Sequence, residues 1–463
     1  LLYTRKIKNK LFVSRWKNIY DVTIIGAGVS SIFMAYSLAK SNKKVLILDK
    51  GKALEDRHCP LDEGKVCNCT TCDKYFGFGG LGKSEGKFNY TNGFGGELEK
   101  KVGKEGFIQL MAEVDEILCQ FGGSSVSKYS TENSSLTKRA EACGLQMLTT
   151  EVRHLGTALS SNIFQQLYEF LLTKIKIQFH IDVQHILKQE DHFTIDTNQG
   201  TVQTKQLVFA TGRSGADWLK EMCSSLNISQ EQTRVDLGIR VEMKEHQLRS
   251  ILKDTFETKL SYQGEHFTAT TYCMNPKGRI IRKYEEGLVM PDGQNFREQG
   301  TGTSNLNFTL FIPRYFPTLK EANVYASSII KGINQGRDRI VIQRLEDLLK
   351  KQPTAENSME HSRIQPTLQG DYGDLNQEIP QLYIEGLKEF LLRLEQFIQE
   401  PIDQHTLLYG IDGKFYAPTI KINNHFETSI HGLFLIGDCS GVTHSLSQAA
   451  ASGLYVGKYL SDI

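Results

Sequence analysis

A turn built on two glycines constrains this chain most. Asp21-Val-Thr-Ile-Ile25 is a short β-branched run, Gly26-Ala-Gly28-Val-Ser-Ser31 follows at once, and apolar residues then recur at helical spacing at Ile32, Phe33, Tyr36, Leu38 and Ala39. Val45-Leu-Ile-Leu48 closes the pattern and runs into Asp49. This order predicts strand, tight turn, helix and second strand. Gly26 permits the turn. Gly28 lets the backbone approach a pyrophosphate at the helix N-terminus, where free N–H groups and the helix dipole favour an anion. Ser31 is small enough for close helix–strand packing. Asp49 stands 21 residues past Gly28, where a carboxylate accepts ribose hydroxyls. The expectation is a dinucleotide site; the alternative is a glycine turn beside a surface aspartate.

With 463 residues the chain has room for two or three domains. Residues 177–210 read as several short strands ending in Leu207-Val-Phe-Ala-Thr-Gly212. Residues 236–315 alternate apolar and polar side chains, with turn signals at Pro276-Lys-Gly278 and Pro291-Asp-Gly293, which predicts mostly antiparallel sheet. Helices are expected over 106–122, 158–176, 319–350 and 381–400. The chain then returns to a strand, Leu433-Phe-Leu-Ile436, and a helix of small residues. The predicted fold class is α/β. A Rossmann-like FAD-binding domain is built from discontinuous segments, and a mainly antiparallel β-sheet with helices is inserted as a substrate domain. The expected boundaries are a basic extension over 1–20, a first FAD-binding part over 21–235 with a Cys/Gly-rich loop at 51–97, an inserted domain over 236–365, and the return over 366–463.

The late strand decides between a flavin and a nicotinamide. Gly437-Asp438 follows it directly, and Gly441, Gln448-Ala-Ala-Ala451 and Gly453 come next. An aspartate there suits the ribitol hydroxyls of a flavin, and the following helix N-terminus stabilises negative charge on a reduced ring. The candidate cofactor contacts are Gly26, Gly28, Ser31, Asp49, Lys50, Gly79, Gly80, Val183, Ala210, Thr211, Gly212, Gly437, Asp438 and Gln448. Gly77-x-Gly79-Gly80 follows no strand and reads as a loop lying against flavin or pyrophosphate. For proton transfer, His444 is the candidate, because it sits on the turn after Gly437-Asp438 and titrates in a suitable range; the alternative is a core or surface histidine.

The cysteines carry a second signal. Cys59, Cys67, Cys69 and Cys72 crowd together, and the C-x-C-x2-C spacing is compatible with a metal or iron–sulfur site. It is equally compatible with redox thiols beside a flavin or with plain packing. Nine cysteines, an odd number, do not read as a secreted disulfide framework. Arg240 and Glu242 share one side of a predicted strand, so they line a cavity or form a structural ion pair.

Lys+Arg 54 against Asp+Glu 53 leaves a formal charge of +1, so no global field favours nucleic acid. The apolar stretch 22–39 is broken by Gly26, Gly28 and three serines, against the ~20 uninterrupted apolar residues of a membrane span. Residues 1–20 hold six basic and no acidic side chains. The expected location is cytoplasmic, with an organellar alternative from that segment. The expected partner is a small-molecule substrate, with no nucleic acid and no transmembrane segment.

These segments together resemble the FAD-dependent dehydrogenases of the two-dinucleotide-binding-fold flavoprotein superfamily, and within it a bacterial-type group. The likeness rests on Gly26–Asp49, Arg57-His-Cys-Pro60 with the cysteine cluster, Gly77-Phe-Gly-Gly80, Ala210-Thr-Gly-Arg213-Ser-Gly215, Val235-Asp-Leu-Gly-Ile-Arg-Val-Glu242, Thr271-Tyr-Cys-Met-Asn-Pro276 and Phe434–Gly453. It implies bound FAD and a redox role: an oxidoreductase moving a hydride between a small organic substrate and flavin N5. The alternatives are a flavin monooxygenase or oxidase, and an electron-transfer subunit of a complex. The resemblance also brings Tyr409, Gly410, Asp412 and Lys414–Tyr416 towards the active face. Asp49 stands where such proteins often have Glu, and His444 where Arg is more usual. The single complete fingerprint implies no separate nicotinamide domain.

Overall fold

The β-branched run forms strand Tyr20–Ile25 inside a seven-stranded sheet of the computed structural model. The structure describes residues 19–58, 72–73, 75–93, 95–255, 258–285, 287–294, 302–416 and 419–463. The sheet runs in the order Lys176–Gln178, Val45–Leu48, Tyr20–Ile25, Gly200–Phe209, Phe193–Thr197 and Val183–Lys188. The first four are mutually parallel, with Ile24 opposite both Ile47 and Val208. Gly200–Phe209 is long enough to serve two partners on its other side: its start pairs antiparallel with Phe193–Thr197, and its end pairs parallel with Leu433–Leu435. Val22, Ile24, Leu46, Ile47, Leu207 and Val208 are all buried, as expected where helices cover both faces of a parallel sheet.

The helix after the glycine turn, Val29–Leu38, is buried at every residue except Ser37. It packs on the last helix, Leu446–Asp462, and small residues make the approach possible. A Cβ on Gly453 would stand 2.0 Å from the Ser30 carbonyl oxygen, and one on Gly457 2.9 Å from that of Met34.

The chain divides into two units. The first gathers 1–128, 153–230 and 417–463; the second gathers 129–152 and 231–416. The second holds an eight-stranded sheet, in the order Asp371–Tyr372, Val341–Arg344, Leu407–Phe415, Thr233–Lys244, Asn305–Phe316, Thr268–Pro276, Lys259–Gln263 and Leu145–Leu148. Val235, Leu237, Ile239, Val241 and Met243 alternate along its central strand. They enter one apolar core with the helices Leu319–Asn334 and Gln381–Ile398.

Three details differ from the sequence expectations. The second unit takes 129–152 out of the stretch expected for the first and runs on to Tyr416 rather than closing at 365. The apolar stripe of Gln381–Ile398 belongs to its core, and Leu407–Phe415 pairs with Thr233–Lys244. The helix expected over 319–350 stops at Asn334. Gln335 and Gly336 adopt positive φ there, and the β-branched pair in Val341–Arg344 joins the sheet between Asp371–Tyr372 and Leu407–Phe415. Pro291-Asp-Gly293 is not a turn but part of strand Leu288–Gln294, paired with Arg279–Glu285. The chain reverses instead near Gly287, at φ +73°. Proline needs no N–H on a two-stranded ribbon edge.

The basic extension lies outside the described residues except for Ile19 and Tyr20, as do Cys59, Cys67 and Cys69. Among the described residues no helix is long and apolar enough to cross a membrane.

Gly453→Ala is expected to destabilise the protein by about 1–3 kcal/mol, because the new methyl meets backbone that cannot yield cheaply. A lowered denaturation midpoint with an unchanged m-value would bear this out. An unchanged midpoint would show that the two helices slide apart freely.

Candidate dinucleotide site

The site is built on the turn between strand Tyr20–Ile25 and helix Val29–Leu38. Gly26 sits at φ +104°, and a Cβ there would lie 2.5 Å from the Ala210 carbonyl oxygen. The turn is therefore pressed against the end of the neighbouring strand, where Ala210 N–H donates to the Ile25 carbonyl at 2.9 Å. Ser31 does more than leave room: its hydroxyl donates to the Gly26 carbonyl at 2.6 Å and closes the turn. Gly28 is different. It is the N-cap of the helix, with no side-chain cap and with φ −77°, and a Cβ there would meet nothing within 4 Å. The helix N-terminus thus keeps its N–H groups facing an open cradle.

Asp49 lies beneath this turn. Its Oδ2 accepts Ala27 N–H at 2.6 Å, and its Oδ1 accepts Gly51 N–H at 2.6 Å and Gly77 N–H at 3.0 Å. Burial pushes its carboxyl above the usual aspartate range, against these three donors and the nearby Arg57 guanidinium. The expected ribose acceptor is thus largely committed to backbone. Its neighbour Lys50 is ion-paired with Asp182 at 3.5 Å. Ile181 N–H donates to the Asp49 carbonyl at 2.9 Å, which carries the chain past the same spot to Val183. The Val183 carbonyl accepts the Trp218 indole N–H at 2.9 Å.

The glycine loop docks on the turn. Gly79 N–H donates to the Ala27 carbonyl at 2.9 Å, and a Cβ on Gly80 would lie 3.4 Å from the Gly28 Cα. Arg57, 6% exposed, braces the loop from behind: Nη1 donates to the Phe78 carbonyl at 2.5 Å, Nη2 to Gly80 at 3.0 Å and Nε to Asp73 at 2.9 Å. The sequence marks Arg57 only as part of a likeness and assigns it no task.

The late segment reaches the same helix. A Cβ on Gly437, at φ +70°, would lie 2.6 Å from Ser30 Oγ, and Gly437 N–H donates to Ser452 Oγ at 2.9 Å. Asp438 Oδ2 lies 3.3 Å from Arg213 Nε, and Oδ1 accepts the Thr443 hydroxyl at 3.2 Å. Asp438 is not the cap of the last helix; Ser445 is, accepting Gln448 N–H at 3.3 Å. Gln448 is fully buried, and its Oε1 accepts Leu98 N–H at 3.3 Å, so that oxygen is taken up inside the protein. His444 is half-buried on the loop between Asp438 and this helix, and its N–H donates to the Gly95 carbonyl at 2.5 Å. Thr211 and Gly212 follow Ala210 at the mouth of the same sheet, beside Cys439, whose thiol donates to the Phe209 and Ile436 carbonyls. Burial pushes that thiol up to about 11, which suits packing rather than nucleophilic work.

Cys72 is the one member of the cysteine cluster within the described residues, and it is a free thiol. Among the described residues no group of three or more His, Cys, Asp or Glu is arranged to hold a metal. Arg240 and Glu242 do not pair with each other. Arg240 donates to Asn307 and Thr309, while Glu242 accepts from Tyr409, Thr367 and Asn305.

Residues 24–54 match the model of an NAD(P)-binding Rossmann-like domain. No curated protein matches the chain. Among solved structures, CtdE in complex with FAD and substrate 4 aligns over 96% of this chain and 80% of its own, at 11% identity and TM-score 0.38. Glycine oxidase from Geobacillus kaustophilus aligns over 96% and 92%, at 12% identity and TM-score 0.35. GidA from Aquifex aeolicus aligns over 96% and 64%, at 12% identity and TM-score 0.38. The fold and this first segment define a nucleotide-binding α/β protein of the Rossmann type.

Asp49→Asn tests the hub of the site. An amide turns a donor towards at least one of the three backbone N–H groups and leaves it unpartnered, at about 1–3 kcal/mol. The denaturation midpoint is expected to fall accordingly. A variant as stable as the parent would mean that those N–H groups find other acceptors.

Proposed function

We propose that the chain is an FAD-dependent oxidoreductase that passes a hydride between a small organic substrate and flavin N5. The observation that carries this is the open cradle at Gly28. An uncapped helix N-terminus faces space that a Cβ would occupy without touching protein, and Gly80 lies beside it. That arrangement fits a pyrophosphate. In this reading Gly26, Gly28, Ser31 and Gly80 receive the pyrophosphate, and Asp49, Lys50 and Val183 stand at the adenosine end. Ala210, Thr211 and Gly212 border the passage towards Gly437 and Asp438, which receive the ribitol end; Gln448 holds the Leu98 backbone beside it.

Bound FAD supplies two-electron redox chemistry at N5. The chain supplies binding, orientation and charge. A substrate that loses a hydride also releases a proton, and His444 is the group assigned to take it. Arg213, 3.3 Å from Asp438 Oδ2, orients that carboxylate.

Two variants test the reading. The parent protein is expected to be yellow and to release FAD on denaturation. Gly28→Val should fold normally, since its φ and its surroundings accept a side chain, yet be colourless because the branch fills the cradle. A folded Gly28→Val protein with full flavin content would overturn the phosphate assignment. Asp438→Ala should weaken FAD binding by roughly 10- to 150-fold, the worth of one charge-assisted hydrogen bond. Unchanged affinity on titration of the apoprotein would remove the ribitol role.

A further inference from the structure

The sequence Gly-Phe-Gly-Gly occurs twice, at 77–80 and again sixteen residues on at 93–96. The first copy docks on the glycine turn through the Gly79 N–H and the Ala27 carbonyl. The second docks on the late segment, also backbone against backbone. His444 N–H donates to the Gly95 carbonyl at 2.5 Å and Glu97 N–H to the Val442 carbonyl at 2.7 Å. Between these two bonds Gly96 stands opposite Thr443 in an antiparallel bridge. Leu98 N–H then reaches Gln448 Oε1 in the last helix at 3.3 Å.

Glycine is required at this strip. Gly95 and Gly96 sit at φ +101° and +129°. A Cβ on Gly95 would lie 2.1 Å from Ser445 Oγ, and one on Gly96 2.3 Å from the Val442 carbonyl oxygen. A side chain at Gly96 would push the turn itself, because the atom it meets is backbone.

The held turn leads to Asp438. Thr443 is fully buried, and both of its chain neighbours are pinned by the strip. Its hydroxyl donates to Asp438 Oδ1 at 3.2 Å. On the other oxygen, Arg213 Nε lies 3.3 Å away on a side chain that is 44% exposed. Of these two partners Thr443 is the buried one, so it sets the direction in which the carboxylate points. Placement of that kind decides whether a polar group meets its ligand.

We infer that Gly95, Gly96 and Thr443 are positioning residues for the flavin end of the cofactor site. The glycine pair holds the turn from Gly441 to Ser445, and Thr443 aims the Asp438 carboxylate at the ribitol hydroxyls. The inference rests on the flavin reading of the site. It concerns one end of the cofactor alone: ADP stops at the pyrophosphate and does not reach Asp438, whereas FAD spans both ends.

The test is titration of the full-length apoprotein with FAD and, separately, with ADP. Thr443→Val keeps the shape and removes the donor. Its FAD affinity is expected to fall roughly tenfold, the worth of one hydrogen bond to a charged group, with ADP affinity at the parent's value. Thr443→Ser keeps the hydroxyl and should recover the parent's FAD affinity. Gly96→Ala should weaken FAD at least as much as Thr443→Val and again spare ADP. A parent protein that takes up no FAD defeats the flavin reading and this inference with it. In a parent that binds FAD, unchanged FAD affinity in Thr443→Val, equal losses of FAD and ADP affinity, or no recovery in Thr443→Ser overturns the inference alone. If Gly96→Ala does not fold, the two Thr443 variants decide the question.

Discussion

The first unit depends on one buried carboxylate. Asp49 accepts N–H bonds from Ala27, Gly51 and Gly77 and so ties three segments to one point: the glycine turn, the end of the second strand, and the glycine loop. Bonds to a charged group contribute ~1.5–3 kcal/mol each. Taking a carboxylate out of water costs several kcal/mol. The two nearly cancel, so Asp49 adds little to net stability and much to position. It fixes where Gly28 and Gly80 stand, and Arg57 fixes the same loop from the other side through three carbonyls. An anion-binding cradle needs that kind of placement, because a helix N-terminus acts only within its first turn.

The second constraint is the crossing of the first and last helices. Ser30 and Met34 present backbone to Gly453 and Gly457 at distances that exclude any Cβ. The same Ser30 touches the position a side chain on Gly437 would need. Residues more than four hundred apart in sequence thus share one contact surface, and Asp438 is delivered to the first helix by packing rather than by a loop. Close packing of small residues sets the spacing here, and dispersion between the helices holds it.

What the sequence made legible was local. The turn, its two glycines and Asp49 fall within one strand–helix–strand stretch, and their spacing alone announces them. The glycine loop carried only a suspicion, because its docking is through the Gly79 N–H and the Ala27 carbonyl, and backbone groups leave no residue signature. Asp49 shows the same limit. Its residue type suggested a ribose partner, but two of its three backbone donors, Gly51 and Gly77, lie beyond the motif. Val341–Arg344 was hidden by its length, since four apolar-rich residues after a helix fit either period. Pro291-Asp-Gly293 has turn composition, yet its glycine serves contact: a Cβ there would stand 1.5 Å from Arg240 Nη2.

That contact exposes the logic of the second unit. Along Thr233–Lys244 one side is apolar core, and the other carries Asp236, Gly238, Arg240 and Glu242. These charges are buried as deeply as the valines they alternate with. Buried ions persist only when matched, and all three are. Arg240 has Asn307, Thr309 and, within 3.6 Å, Asp292 and Asp412; Glu242 has Tyr409, Thr367 and Asn305. Asp236 has the Tyr416 hydroxyl at Oδ2 and the Arg234 guanidinium 3.4 Å from Oδ1. The strand face that looks away from the apolar core is therefore a run of matched charges, each held by at least one side chain from outside the strand.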